Sequence, residues 1–368
     1  MKSLRILSPD FQLLAEIDDY EYFMFRRSYH GIGKFELRIN SNKQHADKLQ
    51  KKNLVMLDNN PKRVGIIQHR EIGLDSDGNQ SSQWVITGTT LEGITKQRVI
   101  IPLGVEANDK IEGAGETVLK HYVNNHLANP INPLRKLHSL VVLPDQQRGN
   151  NVRFESRYGN LGEDLQTISK VSGVGWEMHL NLQEEQFEFD CFVGVDRTTR
   201  QDIYPPIIFS TEFGTLKSAS YSDSDLDFKN IAYVGGQGEG ADREVLEVGF
   251  GDGLDRFEMF YDASSSENTD LQDKGEYELS LLSETVSFEA FAETTTSPFV
   301  FERDWFLGDI VTVIHKEWNV IMHARATAVK ETYDTSGTSF EVEFGKGKTT
   351  IISKIKDELK QYQNGIRK

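Results

Sequence analysis

Tyr29-His30-Gly31-Ile32-Gly33-Lys34-Phe35-Glu36-Leu37-Arg38-Ile39 is the stretch that sets the fold class of this chain. From Lys34 onward, Phe35, Leu37 and Ile39 alternate with Lys34, Glu36 and Arg38, the period-two pattern of a strand with one buried and one wet face. Outward from it, Leu54–Leu57, Arg63–Ile72 and Gln83–Gly88 read as further strands, with Asp77-Gly78 placed for a tight hairpin between the last two. Residues 1–104 therefore read as a small β-barrel or sandwich.

The period then changes. Val118, Leu119, Tyr122, Val123 and Leu127 share one side of a helix that Asn129-Pro130 ends. A second helix carries an Asn160/Glu163 capping box, a Leu161, Leu165, Ile168 stripe and a Gly173 stop. Phe187, Phe189, Cys191, Val193 and Val195 share a strand parity, so residues 105–204 read as an α+β domain. Strand patterns resume after Pro205-Pro206 and reach Val234, where the run Gly235-Gly236-Gln237-Gly238-Glu239-Gly240 marks a boundary. Leu271–Leu282 reads as a short helix interrupted or kinked by Gly275, and Val286, Phe288 and Ala290 restart a strand. A meander closes the pattern. Ile310 to Ile314 runs to a Trp318-Asn319 turn, Val320 to Glu331 returns, and Ser336-Gly337 opens Ser339 to Phe344. Residues 205–240 and 305–348 thus form a second β domain, and 241–304 an inserted domain. Ile352, Ile355, Leu359, Tyr362 and Ile366 give a C-terminal helix, 349–368, a 3-4-3-4 seam that either docks on its own domain or joins copies. The fold class is α+β, mainly β.

The chain has 368 residues, 57 acidic and 41 basic, a net charge of −16. The excess is local: residues 223–304 hold 21 acidic and 5 basic side chains, whereas 346–368 hold 7 basic and 2 acidic. Such a balance repels phosphate backbones and argues against sequence-specific nucleic-acid binding. Cys191 is the single cysteine, which excludes an internal disulfide and a cysteine zinc knuckle. No run approaches the roughly 20 apolar residues of a membrane span, and Pro9 and Asp10 interrupt any secretory core, as in a protein made in a cytoplasm.

Catalytic patterns are scarce. The glycine run leads into Arg243–Phe250, which reads as strand, so it lacks the strand-to-helix context of a dinucleotide site. Asp223, Asp225 and Asp227 open like a calcium loop, but Phe228 and Val234 stand where an EF-hand needs Gly and Glu. His121 and His126 lie about 140° apart on an ideal helix and make a poor zinc pair. His315 and His323 are placed to face each other across the Trp318 turn as ordinary cross-strand neighbours. Cys191 reads as a buried structural thiol. No G-x-S-x-G elbow occurs. No residue is assigned a catalytic, cofactor-binding or metal role, and the chain reads as a non-enzyme without cofactors.

Four segments resemble the siphophage or prophage tail-tip and baseplate hub family, similar to the contractile-phage baseplate hub. They are Tyr29 to Ile39; Leu161 to Leu165 with Ser172-Gly173-Val174-Gly175-Trp176-Glu177; Phe192-Val193-Gly194-Val195-Asp196-Arg197-Thr198; and Trp305-Phe306-Leu307-Gly308-Asp309-Ile310-Val311-Thr312-Val313 with Phe344-Gly345. The resemblance implies two tube-type β-barrels per chain, in 1–104 and in 205–240 with 305–348, and a homotrimer that presents six to a hexameric tube. It also implies a virion location at the tail tip, assembly in the host cytoplasm and a part in lining the DNA passage. Implied partners are the tail tube, distal tail and tape-measure proteins and a downstream fibre, receptor-binding or lysin protein. Alternatives are a receptor- or carbohydrate-binding tail module, with Trp84, Trp305 or Trp318 stacking on sugars, and a cell-wall hydrolase using a carboxylate pair. The acidic segment 223–304 either lines the lumen or serves solubility or a basic partner.

Overall fold

A computed structural model describes residues 2–73, 82–104, 107–263, 271–282, 284–292 and 297–345. The Asp77-Gly78 turn and the helix expected at 349–368 lie outside the described residues. The architecture is mainly β with a few helices, in two compact units: Met1–Ala219 with Ala290–Glu343, and Ser220–Glu289 with Phe344–Lys368.

The first unit opens with β1 (Leu4–Leu7), β2 (Leu13–Ile17), β3 (Tyr22–Ser28), β4 (Lys34–Asn40), β5 (Leu54–Leu57), β6 (Val64–Glu71) and β7 (Gln83–Thr90). Along β4 the expected alternation holds: Phe35, Leu37 and Ile39 are buried, and Lys34 and Arg38 are exposed. The buried face joins Phe23, Phe25, Val55, Ile67 and Ile86 in one core. The helical layer follows as β8 (Asp109–Ala114), α1 (Gly115–Val123), β9 (Leu140–Val142), β10 (Asn151–Ser156), α2 (Leu161–Ser172), β11 (Gly175–Asn181) and β12 (Gln186–Phe192). Asn160 caps α2 by accepting from the Glu163 amide, and Gly173 closes it with φ 74°. Two details differ from the sequence pattern. The first helix stops at Val123 and Asn124–Ala128 winds as a π-turn, and β12 ends at Phe192, so Val193 and Val195 lie beyond it.

The chain continues through β13 (Ile208–Ser210), β14 (Leu216–Ser224), β15 (Ile231–Gly235), β16 (Val245–Gly249), β17 (Glu258–Asp262), α3 (Leu271–Leu281), β18 (Thr285–Ala292), β19 (Ile310–His315), β20 (Val320–Asp334) and β21 (Gly337–Gly345). Strand β20 does two jobs. Its first part pairs with β19, from Val320↔His315 to Arg325↔Ile310, and its second part pairs with β3, from Ala328↔Ser28 to Asp334↔Tyr22. The hydrogen-bonded path β2-β1-β5-β6-β7-β4-β3-β20-β21 therefore joins both ends of the described chain in one sheet. No closed ring of strands occurs on this path. The register also separates His315 from His323: His315 stands opposite Val320, and His323 opposite Thr312.

The second unit holds a three-stranded sheet, β16-β15-β17, with β16 antiparallel and β17 parallel to β15. Ala232, Val234, Val248 and Leu271 form its core. Helix α3 runs unbroken through Gly275, whose missing side chain lets the helix approach the sheet: a Cβ there would lie 2.7 Å from Val248 Cγ2 and 2.9 Å from Val234 Cγ2. Alanine normally gains about 1 kcal/mol over glycine in a helix. Here two β-branched neighbours on a sheet block it, so Gly275→Ala should destabilise this unit by about 1–3 kcal/mol through overpacking. Denaturant unfolding followed by Tyr233 or Tyr261 fluorescence checks this; a rise in stability would contradict the packing argument.

Candidate functional site

The four sequence segments singled out above converge on one buried side chain, Tyr29, at the end of β3. Its hydroxyl donates to the Gly173 carbonyl at 2.9 Å, with the Phe192 carbonyl at 3.3 Å. Arg325 of β20 donates to the same oxygen at 3.3 Å and to the Gly308 carbonyl at 2.6 Å, with its guanidinium 4.8 Å from the ring centre. Phe192 meets the ring edge-on at 5.1 Å. A Cβ at Gly175 or Gly308 would run into that ring, so both positions admit it only as glycine. Beside it, buried Asp309 accepts from the amides of Val195 (2.8 Å) and Phe306 (2.9 Å) and from Arg197 Nε (2.9 Å). His30 Nδ1 lies 2.8 Å from Ser169 Oγ; burial, with Arg325 and Lys170 nearby, lowers its pKa to about 3 and keeps the ring neutral. The joint fixes strand ends, helix α2 and the β19–β20 hairpin to one another. Its groups are mutually satisfied, an arrangement suited to holding geometry.

A second buried cluster staples β20 to the N-terminal sheet. Glu331 accepts from Arg63 Nε at 2.9 Å, Arg27 Nη2 at 3.2 Å and the Tyr333 hydroxyl at 2.7 Å. Glu302 shares Arg27 Nη2, at 2.8 Å, and takes the other arm of Arg63, Nη1 at 2.9 Å. Burial works against the Glu302 carboxylate, and the two guanidiniums overcome it and hold its pKa down. Removing one member of such a cluster leaves a buried charge unpaired, which costs about 3–5 kcal/mol.

The helical layer holds a surprise about histidine spacing. His121 Nε2 lies 2.8 Å from Asp109 Oδ1 and His126 Nε2 lies 2.6 Å from Asp109 Oδ2. The π-turn widens the helix after Val123 and swings His126 back over the same carboxylate, which the 100° step of an ideal helix does not do. Burial would raise the Asp109 pKa, but the two imidazole hydrogen bonds outweigh it and bring the pKa to about 2. Nearby, buried Glu116 binds Arg148 (2.7 Å) and Lys120 (2.7 Å), and burial pushes the Cys191 thiol up.

The remaining sequence features have structural roles. Arg243 donates to the carbonyls of Gly235 (3.0 Å) and Gly236 (3.1 Å), so the glycine run turns carbonyls toward a cation in its own unit. Asp223 accepts from Tyr221, and among the described residues no group of three His, Cys, Asp or Glu side chains is arranged for a metal ion. His315 stacks on Trp318 at 3.8 Å, and His323 Nδ1 lies 3.1 Å from Thr312 Oγ1. Trp305 is buried against Phe209 and Phe301, and Trp84 lies under Arg70.

With this geometry in hand, the family model described as Siphovirus ReqiPepy6 Gp37-like protein matches residues 3–346. The chain belongs to that family. Its fold is shared with solved tail proteins. A tail protein from Neisseria meningitidis MC58 superposes with a TM-score of 0.57 at 13% identity over 94% of this chain and 96% of its own. The 43 kDa tail protein of prophage MuSo2 from Shewanella oneidensis gives 0.60 at 11% identity over 94% and 98%. Prophage tail protein gp18 from Listeria monocytogenes EGD-e gives 0.55 at 10% identity over 98% and 99%. No curated protein matches the sequence. The chain is thus a member of a siphovirus protein family whose fold is that of solved prophage tail proteins.

The Asp109 cluster gives a pH test. Its folded-state pKa lies below the unfolded value of 3.8, so it contributes stability above about pH 4 that is lost as the pH falls toward about 2. Asp109→Asn should lower unfolding free energy at pH 7 by about 2 kcal/mol, a deficit that shrinks between pH 4 and pH 2. Urea unfolding across that range checks it; a deficit independent of pH would contradict the assignment.

Proposed function

We propose that this tail protein sits at the distal end of the tail and joins the tail tube to the adsorption apparatus. The observation that carries the reading is the family match across almost the whole chain, supported by a fold shared end to end with prophage tail proteins. The buried joint at Tyr29 suits the role: it locks the chain's ends and middle together, as a load-transmitting part requires. Residues 1–104 and 205–240 with 305–348 act as two tube-type β modules, and 105–204 and 241–304 as domains mounted on them. Three copies present six modules to a hexameric tube, and the edges of neighbouring sheets are covered on assembly. The partners are the tube, distal tail and tape-measure proteins and a downstream fibre, receptor-binding or lysin protein. The chain works as a virion component without a catalytic step, and any wall-degrading activity belongs to a partner. Segment 223–304, if it faces the passage, lets DNA through by withholding cationic contacts.

Trp305 is buried and Trp318 is half covered by His315, which leaves a sugar-stacking role poorly supplied with aromatic surface. Antibody-gold labelling of purified particles tests the main reading. Label confined to the tail tip is expected; label along the tail or on the capsid would overturn it.

A further inference from the structure

One surface of the first unit departs from the acidic character of the chain. Segments 96–101, 131–136 and 157–158 carry Lys96, Arg98, Arg135, Lys136 and Arg157 and no carboxylate. They are adjacent in space: Arg135 donates to the Val99 carbonyl at 2.5 Å, Arg98 to the Arg135 carbonyl at 3.1 Å, and the Tyr158 amide to the Ile100 carbonyl at 2.8 Å. The two guanidiniums are thus spent on holding backbone segments together, side by side, and among the described residues neither is paired with an acid. Around them lie large apolar side chains turned to solvent, with Leu134 92% and Ile131 76% exposed.

The second unit carries the complementary element. Between β16 and β17, the loop Phe250-Gly251-Asp252-Gly253-Leu254-Asp255 exposes Phe250 by 88% and Leu254 by 97%, and its two carboxylates are exposed and enter no ion pair among the described residues. This loop is braced. The Phe250 amide donates to the Asn230 carbonyl (3.2 Å), Asn230 Nδ2 donates to the Asp255 carbonyl (2.7 Å), and Arg256 donates to the Gly251 carbonyl (3.2 Å). Holding two large apolar groups almost wholly in water on a fixed loop is unfavourable at about 25 cal/mol per Å², and becomes favourable when a partner covers them.

We propose that the basic, apolar patch around Arg98, Arg135 and Leu134 receives the acidic, apolar loop 250–255 of a second copy of this chain. Leu254 and Phe250 pack on Leu134 and Ile131, and Asp252 and Asp255 reach the two guanidiniums, which are already oriented by their backbone bonds. The charges set the register and suppress the patch-to-patch and loop-to-loop alternatives. This contact rests on the reading that the chain self-associates, and it names the surfaces.

The test is a charge swap on the purified full-length chain. Arg98→Glu with Arg135→Glu in one variant, and Asp252→Lys with Asp255→Lys in another, should each weaken self-association about tenfold or more in sedimentation equilibrium. The Asp252→Lys/Asp255→Lys variant keeps the wild-type melting temperature, because both positions are exposed, so its loss of association is the deciding readout; the Arg98→Glu/Arg135→Glu variant also loses two bonds to backbone carbonyls and melts lower. A single chain carrying all four reversals should regain association, since every reversed patch then meets a reversed loop. Wild-type protein that stays monomeric at all concentrations, variants that associate like wild type, or a four-fold variant that fails to recover would each overturn the proposal. None of these results affects the particle-labelling test, so the two readings fail separately.

Discussion

The pairing of β20 with β3 is the contact on which the rest of the first unit depends. Residues 328–334 lie against 22–28 across some three hundred residues of intervening chain, and without that pairing the closing hairpin has no sheet to join. Two devices hold the register. One is the buried cluster of Glu331, Arg63, Arg27 and Glu302, in which a one-residue slip would turn the Glu331 carboxylate out of reach of both guanidiniums. The other is Tyr29, where the strand ends and the middle of the chain meets it. Contacts of such long sequence separation form late and slowly, so the N-terminal sheet has to stand on its own core while the chain is completed.

The strands were largely legible in the sequence, and for a physical reason. Strands with one face in the core and one in water write their period into the sequence, as β4 does with Phe35, Leu37 and Ile39. Capping chemistry is equally local, which is why Asn160 and Gly173 marked both ends of α2. Where the determinant was not local, the pattern misled. The π-turn at Asn124–Ala128 has no residue that announces it, and it moved His126 onto the carboxylate that His121 already held. Gly275 looked like a helix breaker because the Val248 and Val234 side chains that require it lie on other strands.

The joint itself was legible only as four unconnected strings. Glycines at 175 and 308 gave no sign, in sequence, that each makes room for the same tyrosine ring, and Asp309 gave none that it collects the amides of Val195 and Phe306. The family resemblance drew on those strings, and the structure supplies their common cause: they are the positions where distant segments touch. The proposed function rests on the family match, and an internal joint of this kind suits a part that has to hold its neighbours in register.

Native-state hydrogen exchange tests the central claim, that the two ends of the first unit close into one cooperative body at β3 and β20. Amides of Tyr22–Ser28 and of Ala328–Asp334 should exchange through the same opening, with equal free energies and equal dependence on denaturant. Exchange of the β20 amides well below that free energy, while β3 and β4 stay protected, would contradict the account.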